Sequence, residues 1–209
     1  MALNWTDAPR VWGILLAAGR SARFGDAPKQ LARFGGTPLV RLAALACLDS
    51  LLCETVLVTG YLAPEIRRAV QDLPLKTTEN PDYGEGKSSS IRAGLRALPE
   101  SCDGALFVPC DQPFLTAAVI DGIIEAYDRA KASGLQPVVI PCHRGRKGAP
   151  ALFDRTYFPE LSNLNGDEGG RQLMELHPAR IIQVELESAK PLLDVDCPEE
   201  LLRYRKLSS

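Results

Sequence analysis

Residues 11–18, VWGILLAA, are apolar without interruption and run straight into Gly19. A strand with one wet face alternates polar and apolar side chains, so a run with no alternation belongs to a strand covered on both faces, as in the middle of a parallel sheet. A glycine directly after such a strand marks a tight loop at its carboxyl end.

The pattern recurs on moving outward. Residues 38–52 (PLVRLAALACLDSLL) carry apolar side chains at helical spacing, residues 55–59 (TVLVT) form a second short buried strand, and residues 63–73 (APEIRRAVQDL) form a helix. An extended piece at 75–78 leads into the Gly- and Ser-rich loop NPDYGEGKSSS, whose serines are expected to cap the amphipathic helix SIRAGLRAL. GALFVPCDQP is another buried strand with an acidic end. Residues 116–131 form a helix and PVVIPC the next strand. From His143 the texture changes: HRGRKGAPALFDR reads as a ribbon or loop excursion, residues 156–164 and 170–177 as short helices, IIQVEL as a late strand, and DVDCPEELLRYRKL as a loop entering a helix with Pro198 and Glu199 in its first turn. Strands alternating with helices predict an α/β fold, a Rossmann-like and mostly parallel sheet with helices on both faces and ligands at the carboxyl ends of the strands. The reading is one domain over residues 1–209, with residues 1–10 a loose N-terminal extension.

Composition narrows the function classes. Of the 209 residues 45% are hydrophobic and 24% charged, the balance of an ordinary globule. Lys and Arg number 24 against 26 Asp and Glu, so the overall basic excess of a nucleic-acid binder is absent and any anion site is local. No stretch of about 18 apolar residues suggests a membrane span. The six cysteines form no CxxC pair and only two histidines, His143 and His177, accompany them, which argues against structural zinc and for a reduced, cytoplasmic protein.

The loop after the first strand, LAAGRSARFGDAPKQL (residues 16–31), holds most of the chemistry. A glycine turn after a buried strand can aim several backbone N–H groups into one concavity that attracts phosphate oxygens. Arg20, Arg23 and Lys29 crowd the same segment, and three cations so close call for solvent or a polyanion such as a triphosphate. A Walker A loop fails on spacing, because five residues separate Gly19 from Gly25 and Asp26 follows. A GxGxxG fingerprint fails because position 21 is Ser.

What remains, LAAGxSxRFGxxPKxL, resembles the signature of nucleotidyltransferases with a molybdopterin-type NTP transferase domain, and the whole chain resembles the molybdenum cofactor cytidylyltransferases. Three further blocks match in order: the loop and helix from Gly84 to Leu95, PCDQP at 109–113, and DVDCPEEL at 194–201. NGDEGGR at 165–171 resembles the family's GDxGAR segment with Gly170 in place of Ala. Two departures are Asp26-Ala27-Pro28, which lengthens the usual FGxxK spacing by one residue, and Cys197 where Thr is common.

The resemblance implies a nucleotide-diphospho-sugar transferase-like fold and transfer of CMP from CTP to a phosphate of a molybdopterin-type cofactor, with release of pyrophosphate. It implies Arg23, Lys29 and Asp111 as catalytic residues. The nucleotide would be held by Leu16, Ala17, Ala18, Gly19, Arg20, Ser21, Arg23, Lys29, Gly86, Ser88, Ser89 and Asp111. Mg²⁺ would be held by Asp111 and Asp196, a set that suits a cation content with one or two carboxylates plus phosphates and water. Asp196 is preferred to Asp194 because it abuts the CPEEL turn, although either could instead cap the last helix. Ala18 before Gly19 accompanies cytidylyl transfer, where guanylyl relatives carry LAGG, and PCDQP leans the same way.

His143, Arg144, Arg146 and Lys147 form a basic cluster suited to the phosphate of a pterin or to a solvated turn. Gly166, Asp167 and Arg171 would shape the acceptor pocket, or Asp167 and Arg171 would make a local i,i+4 ion pair. Cys110 beside Asp111 reads as a small buried residue rather than a nucleophile. A molybdoenzyme receiving the product is an expected partner; nucleic acid and membrane are not. The alternatives are another phosphate acceptor or GTP, a dinucleotide-dependent oxidoreductase, and a non-catalytic cofactor carrier.

Overall fold

The computed structural model describes residues 9–21, 24 and 28–207. The loose extension assigned to residues 1–10 therefore falls almost wholly outside the described residues, as does Arg23. Val11–Ala17 forms β1, with six of its seven residues buried, as an apolar run demands. It pairs in parallel with β4 (Glu54–Thr59) on one side and β6 (Gly104–Pro109) on the other.

Between β1 and β4 lie the short ribbon of β2 (Arg33–Phe34) and β3 (Thr37–Pro38) and the helix α1 (Leu39–Leu48). Then follow α2 (Ala63–Ala69), β5 (Lys76–Glu79), α3 (Lys87–Arg96), α4 (Ala117–Ala132), β7 (Val138–His143), β8 (Arg146–Lys147), β9 (Ala151–Asp154), α5 (Phe158–Ser162), α6 (Gly170–Leu176), β10 (Ile181–Glu185) and α7 (Pro198–Arg205). The sheet order is β10-β7-β9-β6-β1-β4-β5, with β8 paired to β7.

Both faces are covered. Leu15, Leu57, Leu106 and Val139 pack under α1, α2 and α4 through Val40, Ile66, Ile120 and Tyr127, while Ile14, Val58, Phe107 and Ile140 pack under α3, α5 and α6 through Ile91, Leu161 and Leu173. The fold is thus the mostly parallel α/β sandwich the sequence predicts.

Three expectations need correction. Residues 151–154, read as part of an excursion, form β9 inserted antiparallel between β6 and β7. The helix expected to run to residue 52 stops at Leu48, where Ser50 Oγ donates to the Cys47 carbonyl and turns the chain. Ser88, Ser89 and Ser90 do not cap α3. Gly86 occupies the N-cap with φ of 106°, and the serines lie inside the first turn.

Candidate active site

The carboxyl ends of β1, β4, β5, β6 and β7 face one edge of the sheet. There the loop after β1 folds back, fastened by a residue the sequence reading passed over. Gln30 is 3% exposed and donates from Nε2 to the Gly19 carbonyl at 2.7 Å, while its Oε1 meets Ser21 Oγ at 3.5 Å. Ser21 takes a positive φ of 54°. Ala17 and Ala18 are buried, Leu16 half-buried, and Gly19 and Arg20 exposed. Among the described residues no atom lies within 4 Å of where a Cβ on Gly19 would sit.

Lys29 follows Pro28 on a single 3-10 turn over residues 29–31, and its ammonium reaches Asp111 Oδ2 at 2.6 Å and Asp196 Oδ1 at 3.2 Å. The extra residue before Lys29 does not prevent that reach. Burial by itself would lower the Lys29 pKa, but the charge of Asp111 and hydrogen bonds to Asp111 and Asp196 outweigh it and hold the ammonium above the ordinary lysine value. Asp111 stands just past β6, and its Oδ1 is buried and accepts no hydrogen bond from the described residues. Cys110 beside it is 5% exposed; burial and then the charge of Asp111 push its thiol far up, leaving no thiolate for nucleophilic chemistry.

The tail reaches this point through a hydrophobic contact. Val195, Leu201 and Tyr204 pack with Phe24 and Leu39, which ties the segment before α7 to the loop after β1. Val195 N–H donates to the Asp111 carbonyl at 2.8 Å, and Gln112 Nε2 donates to Asp194 Oδ1 at 2.9 Å. Asp194 therefore faces Gln112, with its carboxyl pushed up by burial and by the charge of Asp111, whereas Asp196 faces Lys29. Neither aspartate caps α7. Cys197 is the N-cap, and Glu200 accepts from the N–H groups of Asp196 and Cys197.

Among the described residues no group of three or more His, Cys, Asp or Glu side chains is arranged to hold a metal ion. The donor set here is two carboxylates, Asp111 and Asp196, bracketing one cation. A buried carboxylate oxygen without a partner fits a hard cation that completes its shell with phosphate oxygens and water.

The loop before α3 sits across the edge, and its serines are engaged by protein. Ser88, fully buried, donates from both its N–H and its Oγ to the Gly166 carbonyl, at 3.1 and 2.8 Å. Ser89 Oγ donates to the Gly86 carbonyl, and Asn80, a buried residue the sequence reading did not single out, donates to Ser89 and Ser90. A Cβ on Gly86 would lie 2.3 Å from the Gly166 oxygen.

On the acceptor side His143, Arg144, Arg146 and Lys147 lie on the β7–β8 hairpin, held by Arg144 N–H to Glu185 Oε1 at 2.7 Å and His143 Nδ1 against the Leu186 carbonyl. Arg171 pairs with Glu175 at 3.1 Å, in place of the expected Asp167.

Residues 13–182 match the family described as MobA-like NTP transferase domain. The chain is 29% identical over 200 residues to the nicotine blue oxidoreductase of Paenarthrobacter nicotinovorans, covering 95% of this chain and 98% of that protein. It is 28% identical over 200 residues to the molybdenum cofactor cytidylyltransferase of Escherichia coli strain K12, covering 92% and 94%. The crystal structure of Rv0371c from Mycobacterium tuberculosis H37Rv superposes with a TM-score of 0.80 at 26% identity over 97% of this chain and 100% of that one, and a complex of Rv0371C with manganese superposes at 0.79 over 94% and 98% with 23% identity. No helix among the described residues is long and apolar enough to cross a membrane.

Proposed function

The chain belongs to the MobA-like NTP transferase family and is a nucleotidyltransferase, and from that premise we propose that it transfers CMP from CTP to a phosphate of a molybdopterin-type cofactor. In that reaction an oxygen of the acceptor phosphate bonds to the α-phosphorus, the bond from the α-phosphorus to the bridging oxygen breaks, and pyrophosphate leaves. The chain, residues 1–209, acts as one domain, working in the cytoplasm with Mg²⁺, and a molybdoenzyme receives the product. The observation that carries the reading is the Lys29 ammonium between Asp111 and Asp196 at the end of β6, in the loop that begins at Gly19.

Both reactants are anions, so alignment and charge neutralisation do most of the catalysis. A divalent cation bound by Asp111 and Asp196 would supply charge to the triphosphate and the departing pyrophosphate. Gly19 offers backbone N–H, and Lys29 and Arg23 offset charge that grows on the α-phosphate and the leaving group. Lys29 is well placed for that role because its side chain has two partners to leave and a flexible stem with which to leave them. Leu16, Ala17 and Ala18 form the floor on which the nucleotide lies, with Arg20, Ser21 and Gly86 at its margin. Ser88 and Ser89 serve it through the loop they fasten.

The oxidoreductase name of one relative favours a second reading, hydride transfer from a dinucleotide. The missing GxGxxG and the Lys29 and carboxylate cluster argue against it. The deciding assay supplies molybdopterin, Mg²⁺ and each NTP in turn and follows pyrophosphate, with NADH and NADPH oxidation monitored in parallel. The expected result is release with CTP, absent in Asp111→Ala. Faster release with GTP would reverse the base assignment, and nicotinamide turnover without pyrophosphate would replace the reaction class.

A further inference from the structure

Three loops at the sheet edge meet away from the carboxylates. The order β6-β1-β4-β5 places Asp111, after β6, on one side of β1, and the loops after β4 and β5 on the other. Tyr61 follows β4 and donates its N–H to the Ala18 carbonyl at 3.1 Å, and Tyr83 follows β5. Gly60 is the point of contact: a Cβ there would fall 2.8 Å from Tyr83 Cβ and 2.9 Å from Ala18 Cβ. The Tyr61 and Tyr83 rings stand 6.2 Å apart, and the Arg20 guanidinium lies over both, 5.8 and 5.5 Å from their centroids. Among the described residues no carboxylate or carbonyl accepts a hydrogen bond from Arg20. An exposed arginine is thus oriented by two aromatic faces, with its N–H donors unused among the described residues.

We propose that Arg20, Tyr61 and Tyr83 form the nucleobase reader of this enzyme. The inference rests on the nucleotide reading given above. With strands about 4.8 Å apart, the end of β5 lies roughly 14 Å from that of β6. A triphosphate held by Lys29 and the carboxylates therefore directs its nucleoside toward the tyrosines. A tyrosine ring offers a face on which a heteroaromatic base stacks, and stacking tolerates any base. The guanidinium adds selection, because it donates only. It favours a base with a carbonyl on its edge, such as the O2 of cytosine, over adenine, whose only acceptors are ring nitrogens.

The test measures binding of CTP, ATP and inorganic tripolyphosphate, each with Mg²⁺, by titration calorimetry to the wild type, Arg20→Met, Tyr61→Leu and Tyr83→Leu, with circular dichroism confirming the fold. Each substitution is expected to weaken CTP about tenfold, the scale of one lost base-stacking contact. Tripolyphosphate binding should stay unchanged, and Arg20→Met should also narrow the preference for CTP over ATP. An equal loss for CTP and tripolyphosphate in Arg20→Met would make Arg20 a phosphate ligand and overturn the proposal, as would full CTP affinity in all three variants. Should the tyrosine variants fail to fold, Arg20→Met alone decides, because that side chain is exposed. A wild type that binds neither CTP nor tripolyphosphate would instead remove the nucleotide reading, and this inference with it.

Discussion

Lys29 and Asp111, 82 residues apart in the chain, meet at 2.6 Å with only 13% and 19% of their side chains exposed. The same ammonium reaches Asp196, 167 residues away, at 3.2 Å. One cation therefore holds together the first loop, the end of β6 and the tail before α7. Replacing it in Lys29→Met leaves two carboxylates facing one another without the ammonium that pairs both of them. Stability is expected to fall by about 3 kcal/mol, the scale of breaking a largely buried pair by removing one partner, read from urea unfolding. Nucleotidyl transfer should drop on the order of 10²-fold or more. A variant as stable as the wild type would show that the pair contributes nothing to the fold.

Gln112 is 2% exposed and holds Asp194, which sets Asp196 two residues on opposite Lys29. Gln112→Leu removes the amide and keeps the bulk. Mn²⁺ binding, followed by electron paramagnetic resonance, should weaken by roughly 10- to 100-fold, the usual effect of losing an outer-shell partner. Unchanged Mn²⁺ affinity would mean that Val195 and Tyr204 hold the tail without help.

Gly86 combines a φ of 106° with a backbone contact that leaves no room for a Cβ. Gly86→Ala must move Gly166 or the start of α3. The cost is expected to be about 2 kcal/mol or more from strain alone, measured as a lowered thermal midpoint. Gly84→Ala, where no atom of the described residues lies within 4 Å of the added carbon and φ is not positive, should be far milder.

Asp154 provides the pH signature. It is fully buried and accepts from Tyr127 Oη at 2.9 Å, Lys131 Nζ at 2.8 Å and the Thr156 N–H at 3.0 Å. Burial by itself would raise its pKa, but the Lys131 bond and the two from Thr156 bring it below the ordinary 3.8. A depressed carboxyl stabilises the fold above the unfolded pKa and loses that contribution as pH falls through the folded value. Thermal midpoints taken from roughly pH 5 down to 2 should therefore fall less steeply in Asp154→Asn, whose stability is lower throughout, than in the wild type. Parallel slopes would exclude Asp154 as the titrating group.

The residues that the sequence made legible are those whose environment is set by their neighbours in the chain. An apolar run such as VWGILLAA can be satisfied only by cover on both faces, and Asp111 at the end of a similar run is delivered to the sheet edge by β6 itself. Alternation of such runs with helical spacing dictated a two-sided sandwich. The same local logic misread residues 88–90. Serines before an amphipathic helix are good caps in isolation, yet here Gly166 and Asn80, from elsewhere in the chain, engage Ser88, Ser89 and Ser90.

What the sequence alone determined is thus the fold class, the glycine loop and the charges gathered near it, because periodicity and loop composition follow from interactions a few residues long. Only the tertiary structure decided that β9 enters the sheet antiparallel, that Asp196 rather than Asp194 faces Lys29, and that Arg20 lies over Tyr61 and Tyr83. Each of these depends on which surfaces meet after the chain has closed loops of many tens of residues, and no pattern within a single segment encodes its distant partner.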